Sequence, residues 1–475
     1  MNFKYLLIFF IYIVGGLGFL LLYVFRKEEF LNKYTPWLLF FFPLEIVSAN
    51  LSLNTEFIGK YIPNLNIVDL FTLLLLPYYF LIKINKSKTR VIIYFKIFLL
   101  INVFSLLFIT PSFSLGLQRV IIISEMFIVY SLFKRLPYND TFLIRIAKII
   151  LVAFLFQFAV SSYQLITGDF DPIRKIFYSQ MPQVGDSLIS SRLISGTFGS
   201  GVTFAWTMGF LFFLLLPILF VNEKGLHFKK TYKYSAVIIS LALLFSLISA
   251  TRTSLFLEVF AMFFGIVLIK KRFENIVNLR KVFIAIIIAS VIVTPILFVS
   301  GSIDKLVGER LSATNLEDSW QFRFMTWFVA VRAIEDHPLL GVGTGIGSNM
   351  GAKEGALLEY VNPYEKASYE YAGIHQGHLL IMTEIGIIGY IIYLFLLGSI
   401  VSNCFKESKS KDYTIIQRVF ILGGALVTIF VFASDFIGAT FGLKNSSLLL
   451  AALWGISIGI IERKKCILPY SIECK

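Results

Sequence analysis

Apolar runs long enough to cross a bilayer recur along this chain from one end to the other, and no other feature restricts its fold as tightly. A hydrocarbon layer ~30 Å thick takes about 20 apolar residues in helical form. Thirteen such runs can be marked, near 3–25, 36–51, 66–83, 91–110, 115–133, 142–166, 201–221, 232–249, 253–269, 282–300, 376–402, 415–434 and 444–461. Hydrophobic residues make up 57% of the chain and charged ones only 15%. The sequence therefore predicts an all-α polytopic membrane protein of about 12–14 transmembrane helices. The first run is too long for a signal-peptide core, has only Lys4 as a basic lead and lacks a small-residue cleavage site, so it reads as a span that stays in the membrane.

Alternate connections between these runs are basic. Lys83, Lys86, Lys88 and Arg90 precede the fourth, Lys134 and Arg135 follow the fifth, Lys270, Lys271 and Arg272 follow the ninth, Lys406, Lys409 and Lys411 follow the eleventh, and Arg463, Lys464 and Lys465 close the last. The positive-inside rule puts these loops in the cytoplasm, the N-terminus outside and the C-terminus inside. The formal charge of +14 is then mostly a topology signal. Nucleic-acid binding would gather cations on one soluble face with interleaved aromatics, which is not the pattern here. Cys404, Cys466 and Cys474 all fall on the reducing side, in no metal-ligand spacing, so neither a disulfide nor a metal site is expected.

Three regions follow: residues 1–300, ten spans with an outer loop at 167–200; residues 301–375, one large extracytoplasmic loop domain; and residues 376–475, three spans and a short cytoplasmic tail. The large loop is net acidic. Its middle, "SWQFRFMTWFVAVRAIEDHPLLGVG", spaces Phe324, Trp327, Phe328 and Val331 at helical intervals, which predicts an amphipathic helix at the interface or over the bundle, ended by Pro338. The "GVGTGIGSNMG" that follows satisfies neither G-x-G-x-x-G nor the P-loop pattern. A turn bringing backbone against backbone accounts for it, and an anion site lined by its amides is the alternative.

Arginines sit where this topology does not want cations. Arg192 precedes the outer start of the seventh span in "SRLISGTFGSG", Arg252 lies between two spans in "ISATRTSLF", and Arg323 lies in the large loop. At the N-terminus of a helix an arginine opposes the macrodipole unless an anion joins both, so these three are candidates for a phosphate seat. Pairing with loop carboxylates is the plainer reading. The chain has four histidines, and two of them, His375 and His378, stand at the outer mouth of the eleventh span in "GIHQGHLLIMTEIGIIGYIIYLFLL". The positive end of a helix favours neutral imidazole, able to accept a proton; an ordinary polar anchor is again the plainer reading. Glu384, deeper in that span, reads as a packing or supporting acid. Glu45, Asp69, Glu125, Glu258 and Asp435 are further acids in or near spans that the sequence does not rank.

Taken together, "RFMTWFVAVRAIEDHPLLGVGTG" and "HQGHLLIMTEIGIIG" resemble the signature of the bacterial O-antigen ligase and polysaccharide polymerase superfamily. The superfamily's His followed by L-x-x-x-x-E-x-G-x-x-G falls on His375, Leu379, Glu384, Gly386 and Gly389. "RLISGTFGSG" and "ATRTS" are similar to its two arginine elements; Gln376 replaces its usual asparagine. The likeness covers about residues 190–397. It implies transfer of glycan from an undecaprenyl-diphosphate-linked oligosaccharide to an acceptor hydroxyl at the outer face, with no cofactor and no required metal. It further implies Arg192, Arg252 and Arg323 on the diphosphate, His375 as general base, and His378 and Glu384 in support. The expected function is that of a polysaccharide polymerase with a carrier-linked acceptor, in contact with membrane lipid and served by a flippase or a chain-length regulator. Ligase-type transfer to a lipid or surface acceptor is the alternative within the superfamily. A lipid-linked oligosaccharide flippase is the alternative outside it, although transporters usually show paired halves.

Overall fold

A computed structural model describes residues 35–41, 89–167, 201–221, 252–274, 313–348, 357, 373–374, 376–436, 438 and 444–467. Their elements are helical: a short helical stretch at 35–41, then α1 (Val91–Phe108), α2 (Phe113–Phe133), α3 (Asp140–Thr167), α4 (Gly201–Phe220), α5 (Arg252–Arg272), α6 (Ala313–Asp336), α7 (Gly377–Glu407), α8 (Ile415–Ser434) and α9 (Lys444–Ile467). Among the described residues six helices, α1, α2, α3, α7, α8 and α9, are long and apolar enough to cross a membrane, and α4 contributes a shorter apolar stretch at Phe204–Phe220. The protein is an all-α polytopic membrane protein. Runs rich in Ile, Val and Phe, poor helix formers in water, are helical here because the bilayer leaves the backbone no other partner.

Local chemistry sets several ends. Thr414 and Gln417 form a reciprocal capping box at the start of α8. Asn139 caps α3 by accepting from the backbone N–H of Phe142 at 2.8 Å. The Gln376 side chain accepts from Leu379 N at 2.5 Å and so opens α7.

Burial ranks the helices. In the apolar window of α9, 89% of residues are buried, against 33% in α1 and 39% in α7, so α9 is central while α1 and α7 present apolar flanks outward. Helix α9 packs on α2 and α8, α8 on α4 and α7, and α7 on α1. The α9–α2 approach uses glycine: a Cβ at Gly455 or Gly459 of α9 would stand 2.6 Å from Tyr130 O of α2 or 2.5 Å from Lys134 O at its C-cap, the small-x-x-x-small geometry of close membrane helices.

Side-chain bonding sorts to opposite ends of the bundle. At the basic end Glu462 accepts from Thr89 Oγ1 at 2.6 Å and pairs with Lys134 Nζ at 3.0 Å, Arg463 donates to Arg135 O, and Gln417 donates to Tyr138 O. The other end holds α6 and the glycine-rich stretch.

Helix α6 forms where the sequence predicts an amphipathic helix, and it stops at Asp336, before Pro338. The face that packs differs from the aromatic stripe. Thr326, Val329, Ala330 and Ala333 are buried, and the last three join Ile374 and Leu380 in a small core; Phe324, Phe328 and Val331 are exposed and Trp327 is half-buried. Small residues let α6 lie close on α7, which leaves the rings outward.

Candidate functional site at the mouth of helix α7

The sequence reads 376–402 as one continuous span; the structure breaks it. After Glu384 the backbone leaves helical geometry at Ile385 (φ −127°, ψ 15°) and at Gly386 (φ 67°, ψ −175°). The left-handed φ favours glycine, and space requires it, since a Cβ on Gly386 would stand 2.2 Å from Leu339 O. A break in a membrane helix exposes backbone groups that must find other partners. The segment 338–347 supplies them. Val342 N donates to Thr383 O at 2.8 Å and Gly343 N to Glu384 O at 3.1 Å, while Ile387 N donates to Pro338 O at 2.9 Å. The same segment is seated on the last turns of α1 and the start of α2: Ser105 Oγ accepts from Thr344 N at 2.9 Å, Asn102 Oδ1 accepts from Thr344 Oγ1 at 2.8 Å, and Gly345 lies against Leu115 O. "PLLGVGTGIG" is thus a backbone clasp that joins the α7 mouth to α1 and α2.

Glu384 lies at the break. Its carboxylate is 2% exposed and meets Arg119 Nε of α2 at 3.1 Å; Arg119 is itself only 5% exposed. A buried carboxylate and guanidinium hold only when they satisfy each other, because each alone is strongly disfavoured. Arg119 is absent from the sequence reading. Its signal was available, an arginine inside the apolar "SLGLQRVIII" and away from every basic loop.

The opposite side of the short helical segment 377–384 is fastened to the end of α8. Gly377 N donates to Gly438 O and His378 N to Asp435 O. Asp435 is buried and accepts from Tyr393 OH at 2.7 Å. Its carboxylate also crowds Gly377, where a Cβ would lie 2.4 Å from Oδ1, so an acid sits against the positive end of α7. Asp435, unranked in the sequence, stands at this mouth; Glu45, Asp69 and the side chain of Glu258 lie outside the described residues.

His378 is 2% exposed and both ring nitrogens are engaged. Nε2 lies 3.0 Å from Phe432 O, which can only accept, so Nε2 donates to it; Nδ1 lies 3.3 Å from Tyr390 OH. Phe432 and Phe436 pack edge-on against the ring. This histidine is held as structure, with no nitrogen open to a substrate.

Of the other sequence candidates, Arg323 is a half-buried residue of α6 whose guanidinium pKa is lowered by burial, and its carbonyl accepts from Thr326 Oγ1. Arg252 is the first residue of α5, which puts it at a helix start; its side chain, together with Arg192 and His375, lies outside the described residues. Because Gln376 is the cap of α7 and has extended φ and ψ, helical register begins only at Gly377. Among the described residues, no group of three or more His, Cys, Asp or Glu could hold a metal ion.

The clasp and the broken helix fall inside a recognisable segment: residues 236–394 match the family model described as O-antigen ligase. This match, over about a third of the chain, supports the resemblance to the O-antigen ligase superfamily. The O-antigen ligase region takes in α5, α6, the clasp and α7 through its break, and leaves Arg119 and Asp435, the two partners that fasten the mouth, outside the matched residues. No curated protein matches the sequence.

Proposed function

We propose that this protein transfers glycan from an undecaprenyl-diphosphate-linked oligosaccharide to a carrier-linked acceptor hydroxyl at the outer face of the cytoplasmic membrane, as a polysaccharide polymerase that needs no metal. The observation that carries the reading is the O-antigen ligase match over residues 236–394; the family supports glycan transfer of this type. Chemistry supplies the roles. Departing diphosphate needs cations or helix N-termini, which assigns Arg192, Arg252 and Arg323 to it. The attacking hydroxyl must lose a proton to a neutral base, which assigns His375. Engagement of both nitrogens of His378 supports giving the base role to His375 and a supporting role to its neighbour. Glu384 supports the mouth through Arg119.

The test is transfer in vitro from purified lipid-linked donor in the presence of a chelator. Wild-type protein is expected to be active under those conditions. His375→Ala is expected to lower the rate by roughly a hundred- to ten-thousand-fold, with donor binding changed far less. Activity is expected to fall on the acid side, where protonation removes the acceptor. Full activity in His375→Ala overturns the base assignment, and loss on chelation overturns metal independence. Surface glycan of a deletion strain separates the two transferases: single repeat units mean a lost polymerase, long carrier-linked chains a lost ligase.

A further inference from the structure

At the basic end of the bundle, away from the α7 mouth, two arginines from different helices are held without an acid. Arg272 closes α5; its Nη1 donates to Phe405 O at 2.7 Å and to Ser408 Oγ at 2.8 Å, and its guanidinium lies 4.7 Å from the Phe405 ring. Arg418, on α8, donates from Nε to Ser408 O at 3.0 Å and from Nη2 to Arg272 O at 2.8 Å, and lies 4.7 Å from the Phe273 ring. Both side chains thus converge on Ser408, at the end of α7. Carbonyls, a hydroxyl and ring faces fix their direction but cancel neither charge, and no carboxylate among the described residues pairs with either. Arg272 Nε is buried and has no acceptor. A buried donor left unmade is costly, and two guanidiniums fixed side by side by neutral groups repel until an anion joins them.

The surroundings name the anion. Guanidinium forks match phosphate oxygens. Lys270, Lys271 and Lys409 are exposed at the same helix ends, and along α5 the exposed Phe263 and Phe264 offer an apolar wall next to that end. Basic pockets between membrane helices, at headgroup depth, hold anionic headgroups. We propose that Arg272 and Arg418 form a seat for a phosphate group, that of an anionic phospholipid whose chains lie along α5. The seat is independent of the transfer reaction, and neither proposal stands or falls with the other.

The test is native mass spectrometry of the whole protein in neutral detergent with added phosphatidylglycerol, diacylglycerol or inorganic phosphate. Wild type and the charge-matched control Lys96→Gln/Lys148→Gln, at two exposed lysines, are expected to retain phosphatidylglycerol, the double variant Arg272→Gln/Arg418→Gln at least tenfold less, and none of them diacylglycerol. Retention of inorganic phosphate that depends on both arginines would keep the phosphate seat and assign it to a soluble anion. Equal retention of phosphatidylglycerol by the double variant and the control overturns the proposal. Because Arg272 also ties α5 to α7, a second measurement uses wild type alone: phosphatidylglycerol is expected to slow phenylglyoxal modification of Arg272 and Arg418 several-fold relative to diacylglycerol. Unchanged rates overturn the seat even if the double variant does not fold.

Discussion

Glu384 works through two groups of one residue: its carboxylate holds Arg119 of α2, and its carbonyl accepts from Gly343 of the clasp. Removing Arg119 would strand the carboxylate in a place 2% exposed. Arg119→Leu is therefore expected to cost about 3–5 kcal/mol of stability, whereas replacing both partners by apolar residues of similar volume, Arg119→Met with Glu384→Met, should cost far less. Thermal unfolding in detergent checks this; a double variant as unstable as Arg119→Leu would mean the pair is not the fastening it looks like here. Glu384 could be picked out from the sequence because a motif carries it. Arg119 could not be assigned to it in that way, since the partners are 265 positions apart and only the fold joins them. An arginine displaced from the basic loops stands out at a helix start or in an outer loop, and is hidden in the second turn of a span. His378 shows a related limit: sequence placed it at a helix mouth, but only coordinates show both nitrogens already used.

At the scale of elements, the spans were legible because apolar runs and flanking cations are one-dimensional signals. The run near 415–434 and the helix Ile415–Ser434 coincide, and the run near 91–110 ends within two residues of Val91–Phe108. What hydropathy could not register is the break in α7, since one uncharged glycine between Ile385 and Ile387 leaves the apolar run intact while its φ of 67° and its contact with Leu339 O are three-dimensional facts. The same helix contains its own control. A Cβ at Gly398 meets nothing within 4 Å. Gly398→Ala is expected to be neutral or to stabilise by up to about 1 kcal/mol through helix propensity. Gly386→Ala must move the clasp or straighten the helix, and should cost at least about 1–3 kcal/mol and most of the transfer activity. Melting temperatures and turnover of the two variants, measured side by side, check this; equal behaviour would show that the break is dispensable.

The whole molecule has two chemically different ends, and function depends on which side of the membrane each one faces. Lys134, Arg135, Arg272, Lys406, Arg418 and Arg463 gather at one end, while the clasp, Arg119, His378, Asp435 and α6 gather at the other. The charge rule predicts that the first end is cytoplasmic and, on the proposed function, that the α7 mouth faces out, the side on which a lipid-linked donor would be used. Ser408, in a basic loop, is a poor probe because it is buried under Arg272 and Arg418. Lys409 and Glu335 are exposed at opposite ends and suit the purpose. In a background with Cys404, Cys466 and Cys474 replaced, Glu335→Cys is expected to react in intact cells with an impermeant maleimide, and Lys409→Cys only after the membrane is opened. The reverse pattern would put the α7 mouth in the cytoplasm, away from an outward-facing donor. It would remove the outer-face transfer reaction and leave the buried Arg119–Glu384 fastening unaffected, because that pairing depends on packing and not on orientation.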